Sequence, residues 1–184
     1  MPFTENFING IVIFEPNVYP DQRGFFFESY NKQLFNDNGI FAEFIQDNQS
    51  FSLYGVIRGL HYQREPFAQA KLVRVLEGSI LDVVLDIRTK SPTFGKTYSI
   101  VLSSDNKKQI FVPKGFAHGF SVLSETAVIS YKCDQFYNKQ SEAGIRFNDP
   151  GLNIDWQIPA DKILISEKDE QLPEFDSTMT DFIF

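Results

Sequence analysis

Lys71-Leu72-Val73-Arg74-Val75-Leu76-Glu77-Gly78-Ser79-Ile80-Leu81-Asp82-Val83-Val84-Leu85-Asp86-Ile87 is the stretch on which the fold turns. Two runs rich in Val, Ile and Leu, residues 71–76 and 79–87, stand on either side of Gly78. Branched apolar residues favour strands, and a glycine between two such runs marks a turn. The same pattern continues outward. Gly10–Phe14, Gly24–Tyr30, Thr97–Leu102, Gln109–Val112, His118–Leu123 and Thr126–Cys133 read as further short strands. Ser91-Pro92, Asp105-Asn106 and Pro113-Lys114-Gly115 supply the breaks between them. Strands this short and this numerous predict a mainly β fold, a sandwich or a barrel. A helix is predicted over residues 31–37, ended by Asn38-Gly39, since both residues tolerate the left-handed conformation. From about Gly151 to residue 184 the wording changes to Trp156, prolines and the charged run Ser166–Glu170. That region predicts loops and short helical turns laid on the β core, its acidic end readable as solvated surface. No repeat or linker divides the chain, so residues 1–184 are expected to form one domain.

Composition removes several function classes. With 42% hydrophobic and 22% charged residues, the chain is not a disordered one. Its net charge of −7 argues against nucleic acid or a membrane surface as partner, because both leave a basic footprint. A small anionic ligand remains possible, since it needs only a few local cations. One cysteine, Cys133, makes no internal disulfide and no cysteine-based zinc site. Two histidines, His61 and His118, leave little for a catalytic metal, so none is expected. Met1–Glu15 has no basic region, and its longest apolar run is Ile11–Phe14, so neither a signal peptide nor a membrane span is expected. These features together predict a cytoplasmic protein. Thr93-Phe94-Gly95-Lys96-Thr97 ends like a phosphate-binding loop, but Lys90 stands where that motif needs glycine.

Val56-Ile57-Arg58-Gly59-Leu60-His61-Tyr62-Gln63 carries more information. An arginine and a histidine flank a glycine on a predicted strand, and Lys71 follows. In a regular strand Ile57, Gly59, His61 and Gln63 share one face, and a bulge would reverse that assignment. By the same parity Ala127, Ile129, Tyr131 and Cys133 share a face, which sets Tyr131 among small or apolar neighbours inside a barrel. Taken singly, each of these residues also fits an ordinary reading: a solvated edge-strand cation, a satisfied core histidine, a packed phenol.

Taken together they fit a family. Arg58–Gln63, Lys71–Val75, Val112-Pro113-Lys114-Gly115-Phe116-Ala117-His118-Gly119-Phe120, Tyr131-Lys132-Cys133 and Ser166-Glu167-Lys168-Asp169 stand in one order. So do Pro92–Lys96 and Ile154-Asp155-Trp156. This set closely resembles the dTDP-4-dehydrorhamnose 3,5-epimerases, from about residue 5 to 175. The resemblance implies a cupin-like jelly-roll barrel, a homodimer whose N-terminal strand crosses to the neighbour, and a reaction needing neither cofactor nor metal. The substrate it implies is a dTDP-4-keto-6-deoxyhexose, inverted at C3 and C5. Both carbons lie beside the C4 ketone, so a proton removed from either leaves an enolate. Such a reaction needs a base on one face of the sugar, an acid on the other, and a cation or donor at the C4 oxygen.

By the resemblance His61 is the base, steadied by Asp169, Tyr131 is the acid, and Lys71 stabilises the C4 oxyanion. Arg23, Glu28, Gln46, Asp47, Asn48, Arg58, His118, Glu142 and Lys168 are implied to hold the nucleotide and sugar, with Phe26 and Tyr137 sandwiching the thymine. Arg23, Phe26 and Glu28 are expected to complete the partner subunit's site. Two stretches depart from the family's wording, Cys133–Tyr137 and Phe147–Asn153, although Tyr137 keeps its register. Gln63 stands where related ketoisomerases carry a second histidine, which argues against that chemistry. A single-carbon epimerase and a non-catalytic sugar-nucleotide-binding jelly roll are the alternatives the sequence leaves open.

Overall fold

The computed structural model describes residues 2–5, 8–178 and 181–183, so both ends of the expected domain, Met1 and Phe184, lie outside the described residues. In chain order the strands begin with β1 (Phe3–Glu5), β2 (Val12–Phe14), β3 (Tyr19–Asp21), β4 (Gly24–Phe26) and β5 (Gln46–Leu53). There follow β6 (Ile57–Gln63), β7 (Lys71–Glu77), β8 (Ser79–Asp86), β9 (Arg88–Thr89) and β10 (Thr97–Ser103). The last are β11 (Gln109–Val112), β12 (Phe116–Val122), β13 (Thr126–Cys133), β14 (Glu142–Gly144) and β15 (Phe182–Ile183). Two short helices, α1 (Lys32–Asp37) and α2 (Glu167–Glu170), complete the set with one 3-10 turn at Ala160–Lys162.

One sheet runs β1-β2-β11-β7-β13-β5 and a second runs β10-β8-β12-β6-β14. Consecutive strands alternate between the sheets, β5 to β6 to β7 to β8 and then β11 to β12 to β13 to β14. This is the mainly β, jelly-roll arrangement expected. Gly78 carries the chain from one sheet to the other at φ +77°, and a Cβ there would run into the Thr126 carbonyl and the Ser124 hydroxyl. Glycine at that corner is therefore a steric requirement.

The inward faces meet in a core of Val73, Val75 and Ile129 from the first sheet and Ile80, Val84, Phe120 and Val122 from the second. The outer face of the second sheet is covered by the C-terminal region, with Trp156, Ile145 and Phe175 packed on Leu60, Tyr62 and Leu81. On the outer face of the first sheet, Phe35 of α1 packs against Phe14, Leu72 and Phe111. Helix α1 begins at Asn31, whose side chain accepts from the Leu34 amide, and Gly39 follows its end at φ +82°.

Two expectations need correction. The predicted strand Gly24–Tyr30 shortens to β4, which pairs only with β3 in an exposed two-stranded hairpin. The chain then lies over the first sheet instead of joining it: Phe27 covers Arg74, and the Ser29 carbonyl accepts from Gln109. Aromatic richness there reflects surface coverage, which the strand propensity of Phe and Tyr imitates. The parity of Val56–Gln63 also fails. His118 pairs with His61 but Phe120 with Arg58, so β6 holds one extra residue between them. That bulge turns Arg58 and His61 to the same side while Ile57, Leu60 and Tyr62 pack on the outer face. On β13 the parity holds, with Ala127, Ile129 and Cys133 buried and Tyr131 packed against the inner core.

Candidate active site

Beyond Val73, Phe120 and Ile129 the inward positions become polar: Lys71 on β7, His118 on β12 and Tyr131 on β13. These and Arg58, His61 and Asp169 line a cavity of about 480 Å³. A second volume of about 320 Å³ shares His61, Lys71 and Tyr131 and adds Gln46, Asn48, Tyr137 and Glu142. The two together form an open pocket at one end of the barrel, and His61, Lys71 and Tyr131 stand where they meet.

Two glycines make the approach of β6 and β12 possible. A Cβ on Gly59, at φ +110°, would lie 2.7 Å from the His118 carbonyl, and one on Gly119 would lie 2.6 Å from the Arg58 carbonyl. Only bare backbone fits between the strands that carry Arg58, His61 and His118.

Asp169 comes from α2 and is 4% exposed. One carboxylate oxygen lies 2.8 Å from His61 Nε2, and the other accepts the Gly59 amide at 3.1 Å. Ser166 caps the helix by accepting the Asp169 amide at 3.1 Å, which explains the Ser-Glu-Lys-Asp wording. The charge run thus hides a buried carboxylate in a solvated surface turn. Burial acts to raise the Asp169 carboxyl, but the His61 and Gly59 hydrogen bonds outweigh it and hold the group below its ordinary value. A carboxylate only accepts, so His61 donates from Nε2, and in the neutral ring the lone pair then sits on Nδ1.

The Tyr131 hydroxyl has no hydrogen-bond partner among the described residues. Burial raises its pKa, and Arg58 works in the opposite direction. Lys71 forms no ion pair among the described residues; burial lowers its pKa, against the pull of Cys133, Asp82 and Glu142. His118 Nε2 lies 2.8 Å from Asp82, a carboxylate with no exposed surface. Sequence reasoning missed Asp82. Its signal was an acid at the centre of the otherwise apolar run Ile80–Leu85. Arg58 is steadied by Ser52 Oγ at 3.1 Å, another partner not foreseen.

At the mouth, Glu142 accepts from Lys168 at 2.6 Å and from the Tyr137 hydroxyl at 2.9 Å. Burial raises the Glu142 carboxyl, and the bonds from Lys168 and Tyr137 override it, leaving it lowered. Gln46 bonds Asn48 at 3.0 Å, and Asn48 reaches Cys133 Sγ at 3.7 Å. Four residues named from the sequence stand apart from this pocket within the chain. Asp47 faces the opposite side of the sheet, paired with Lys132. Arg23 pairs with Asp21, Phe26 is 65% exposed on the β3–β4 hairpin, and Glu28 accepts from Asn31. Among the described residues no cluster of three or more His, Cys, Asp or Glu side chains has the arrangement to hold a metal ion.

The family model for dTDP-4-dehydrorhamnose 3,5-epimerase matches residues 5–177. The chain belongs to this family. A dTDP-4-dehydrorhamnose 3,5-epimerase of Shigella flexneri is 52% identical over 163 residues, 88% of this chain and 89% of that protein. Among solved structures, the dTDP-4-dehydrorhamnose 3,5-epimerase of Elizabethkingia anophelis superposes with a TM-score of 0.90 at 52% identity, covering 94% of this chain and 95% of the other. The dTDP-6-deoxy-D-glucose-3,5-epimerase of Legionella pneumophila, in complex with dTDP-4-keto-L-rhamnose, gives 0.87 at 43% identity, covering 95% and 98%. Membership in this epimerase family agrees with the two-sheet barrel and with the pocket at its open end. Among the described residues no helix is long and apolar enough to cross a membrane.

Proposed function

We propose that the chain inverts C3 and C5 of dTDP-4-dehydro-6-deoxy-D-glucose to give dTDP-4-dehydro-L-rhamnose, through enolates centred on the C4 ketone. His61 Nδ1 removes the proton, and Asp169 stabilises the imidazolium that forms. Tyr131 delivers a proton to the opposite face of the flat enolate, so the carbon inverts. Lys71 neutralises the charge that develops on the C4 oxygen, an electrostatic contribution that is often several kcal/mol. The observation that carries this reading is that His61, Tyr131 and Lys71 line one shared cavity. Neither a cofactor nor a metal has a step in this scheme. Gln46, Asn48, Arg58, His118, Glu142 and Lys168 are assigned to the sugar and diphosphate, and Tyr137 to the thymine.

We also infer a homodimer of single-domain, cytoplasmic subunits in which Arg23, Phe26 and Glu28 reach the neighbour's pocket. Exposed Tyr19, Phe25 and Phe26 on the hairpin and exposed Phe51 and Leu53 on β5 support a covered surface. Light scattering of the purified chain tests it; a monomer at micromolar concentration refutes it. The test of the reaction is NMR of the keto-sugar nucleotide with the protein in D₂O. Deuterium at both C3 and C5, with conversion to the L-sugar, supports double inversion. Label at one carbon alone marks a single-carbon epimerase, and no exchange at either marks a binding protein.

A further inference from the structure

Residues 134–138 form the loop that presents Phe136 and Tyr137, 59% and 54% exposed, at the pocket mouth. A loop with two large exposed rings needs something other than apolar burial to fix it. Here three glutamine side chains from three separate segments hold its backbone. Gln69, just before β7, donates to the Gln135 carbonyl at 2.7 Å. Gln63, at the end of β6, donates to the Phe136 carbonyl at 3.2 Å and accepts the Asn138 amide at 2.7 Å. Gln46, at the start of β5, accepts the Tyr137 amide at 3.1 Å. Gln63 is 5% exposed and also donates to the Phe67 carbonyl at 2.6 Å, so its amide is bonded on both oxygen and nitrogen. All three line the cavity together with Tyr137 and Glu142. Glutamine suits this task because one neutral side chain offers both a donor and an acceptor, whereas a carboxylate would repel the two carbonyls that Gln63 serves.

We infer that Gln63 and Gln69 are positioning residues for the nucleoside end of the pocket: they fix the 134–138 backbone and so set the Tyr137 ring where a base can stack. This rests on the reading of Tyr137 as the thymine platform. A stacking partner contributes only when its plane is already in place, since ordering a loose loop on binding subtracts from affinity. The glutamines therefore act on nucleotide affinity and not on the proton transfers at His61 and Tyr131.

The test is a double-mutant cycle read by calorimetric binding of dTDP and by steady-state kinetics. Gln63→Met keeps the volume and removes the hydrogen bonds, and Gln69→Ala removes the bond to the Gln135 carbonyl from a half-buried position. Each is made alone and with Tyr137→Ala. The expected result is a dTDP Kd raised about tenfold by either glutamine substitution, with kcat within about twofold, and a penalty that disappears in the Tyr137→Ala background. An equal penalty with and without Tyr137, or a loss of kcat at unchanged Kd, overturns the inference. Should Gln63→Met fail to fold, Gln69→Ala carries the same comparison. Failure of the unmodified chain to bind dTDP sinks the nucleotide reading and this inference with it; binding with additive penalties sinks the inference alone.

Discussion

Replacing Asp169 by Asn tests the proposed base most sharply. The side chain keeps its shape but loses its charge and half of its accepting capacity. In the native chain both oxygens are committed, one to His61 Nε2 at 2.8 Å and one to the Gly59 amide at 3.1 Å. An asparagine can satisfy Gly59 only with its oxygen, which aims its NH₂ at His61. The imidazole then has to accept at Nε2 and carry its proton on Nδ1, the atom assigned to take the substrate proton. The charge effect adds to the tautomer effect. A unit charge pair at that separation is worth roughly 6 kcal/mol at an effective dielectric near 20, an upper bound. Partial charge in the transition state and residual solvation reduce this to about 3–4 kcal/mol, or ~10²–10³ in kcat. The assay is turnover of the keto-sugar nucleotide followed by NMR, alongside calorimetric dTDP binding. Turnover within tenfold of the native chain refutes the argument, as does loss of dTDP binding in a folded variant. The pH dependence of stability adds a second readout. Asp169 is held below its ordinary carboxylate value, so its contribution is present above about pH 4 and is lost as pH falls through the lowered folded value. The Asn variant is expected to lose less stability than the native chain across that acid window, measured by urea unfolding at several pH values.

Tyr131→Phe is expected to separate exchange from inversion: His61 still removes and returns a proton on its own face, so deuterium enters the substrate while conversion falls about 10²-fold, read by NMR in D₂O. Conversion at the native rate would remove Tyr131 from the mechanism. Lys71→Met is expected to cost ~10²–10³ in kcat through the lost oxyanion partner. The same change is expected to raise Tm at pH 7 by calorimetry. Burial depresses the Lys71 pKa, so the folded state carries a penalty for the cation that is present below the folded pKa and vanishes above the unfolded one. A lower Tm with unchanged kcat contradicts both points.

Much of the architecture was legible because strand runs and their breaks are written locally. Ser79–Ile87 and Thr126–Cys133 carry their own alternation and apolar content, and the structure places β8 and β13 there. Features that depend on a partner strand were not legible. The extra residue in β6 exists only relative to β12, so counting along Val56–Gln63 alone put Arg58 and His61 on opposite faces. The Asp82–His118 contact joins residues 36 apart and the Asp169–His61 contact residues 108 apart. No local pattern pairs them. Asp169 was reached by resemblance, and Asp82 was passed over although an acid within Ile80–Leu85 demands a buried partner.

Charge bookkeeping inside the pocket explains how an acidic protein can prefer an anionic ligand. The chain carries −7 overall, yet net charge says little about a lined cavity. Its two carboxylates are engaged locally, Asp169 with His61 and Glu142 with Lys168, and the fully buried Asp82 holds His118, which lines the cavity. Arg58 and Lys71 are left without a carboxylate partner among the described residues. Arg58 leans instead on Ser52 Oγ and the Phe51 carbonyl, neutral acceptors that orient the guanidinium without cancelling it. Unpaired cations facing a common cavity are costly in the empty protein and favour a ligand that brings negative charge at two places. A diphosphate brings one of those charges in the ground state. In the proposed mechanism an enolate oxygen brings the other only during reaction, at the half-buried Lys71. Arg58 and Lys71 are therefore the cations left to meet a ligand, while the two histidine–aspartate hydrogen bonds orient imidazoles that line the same cavity.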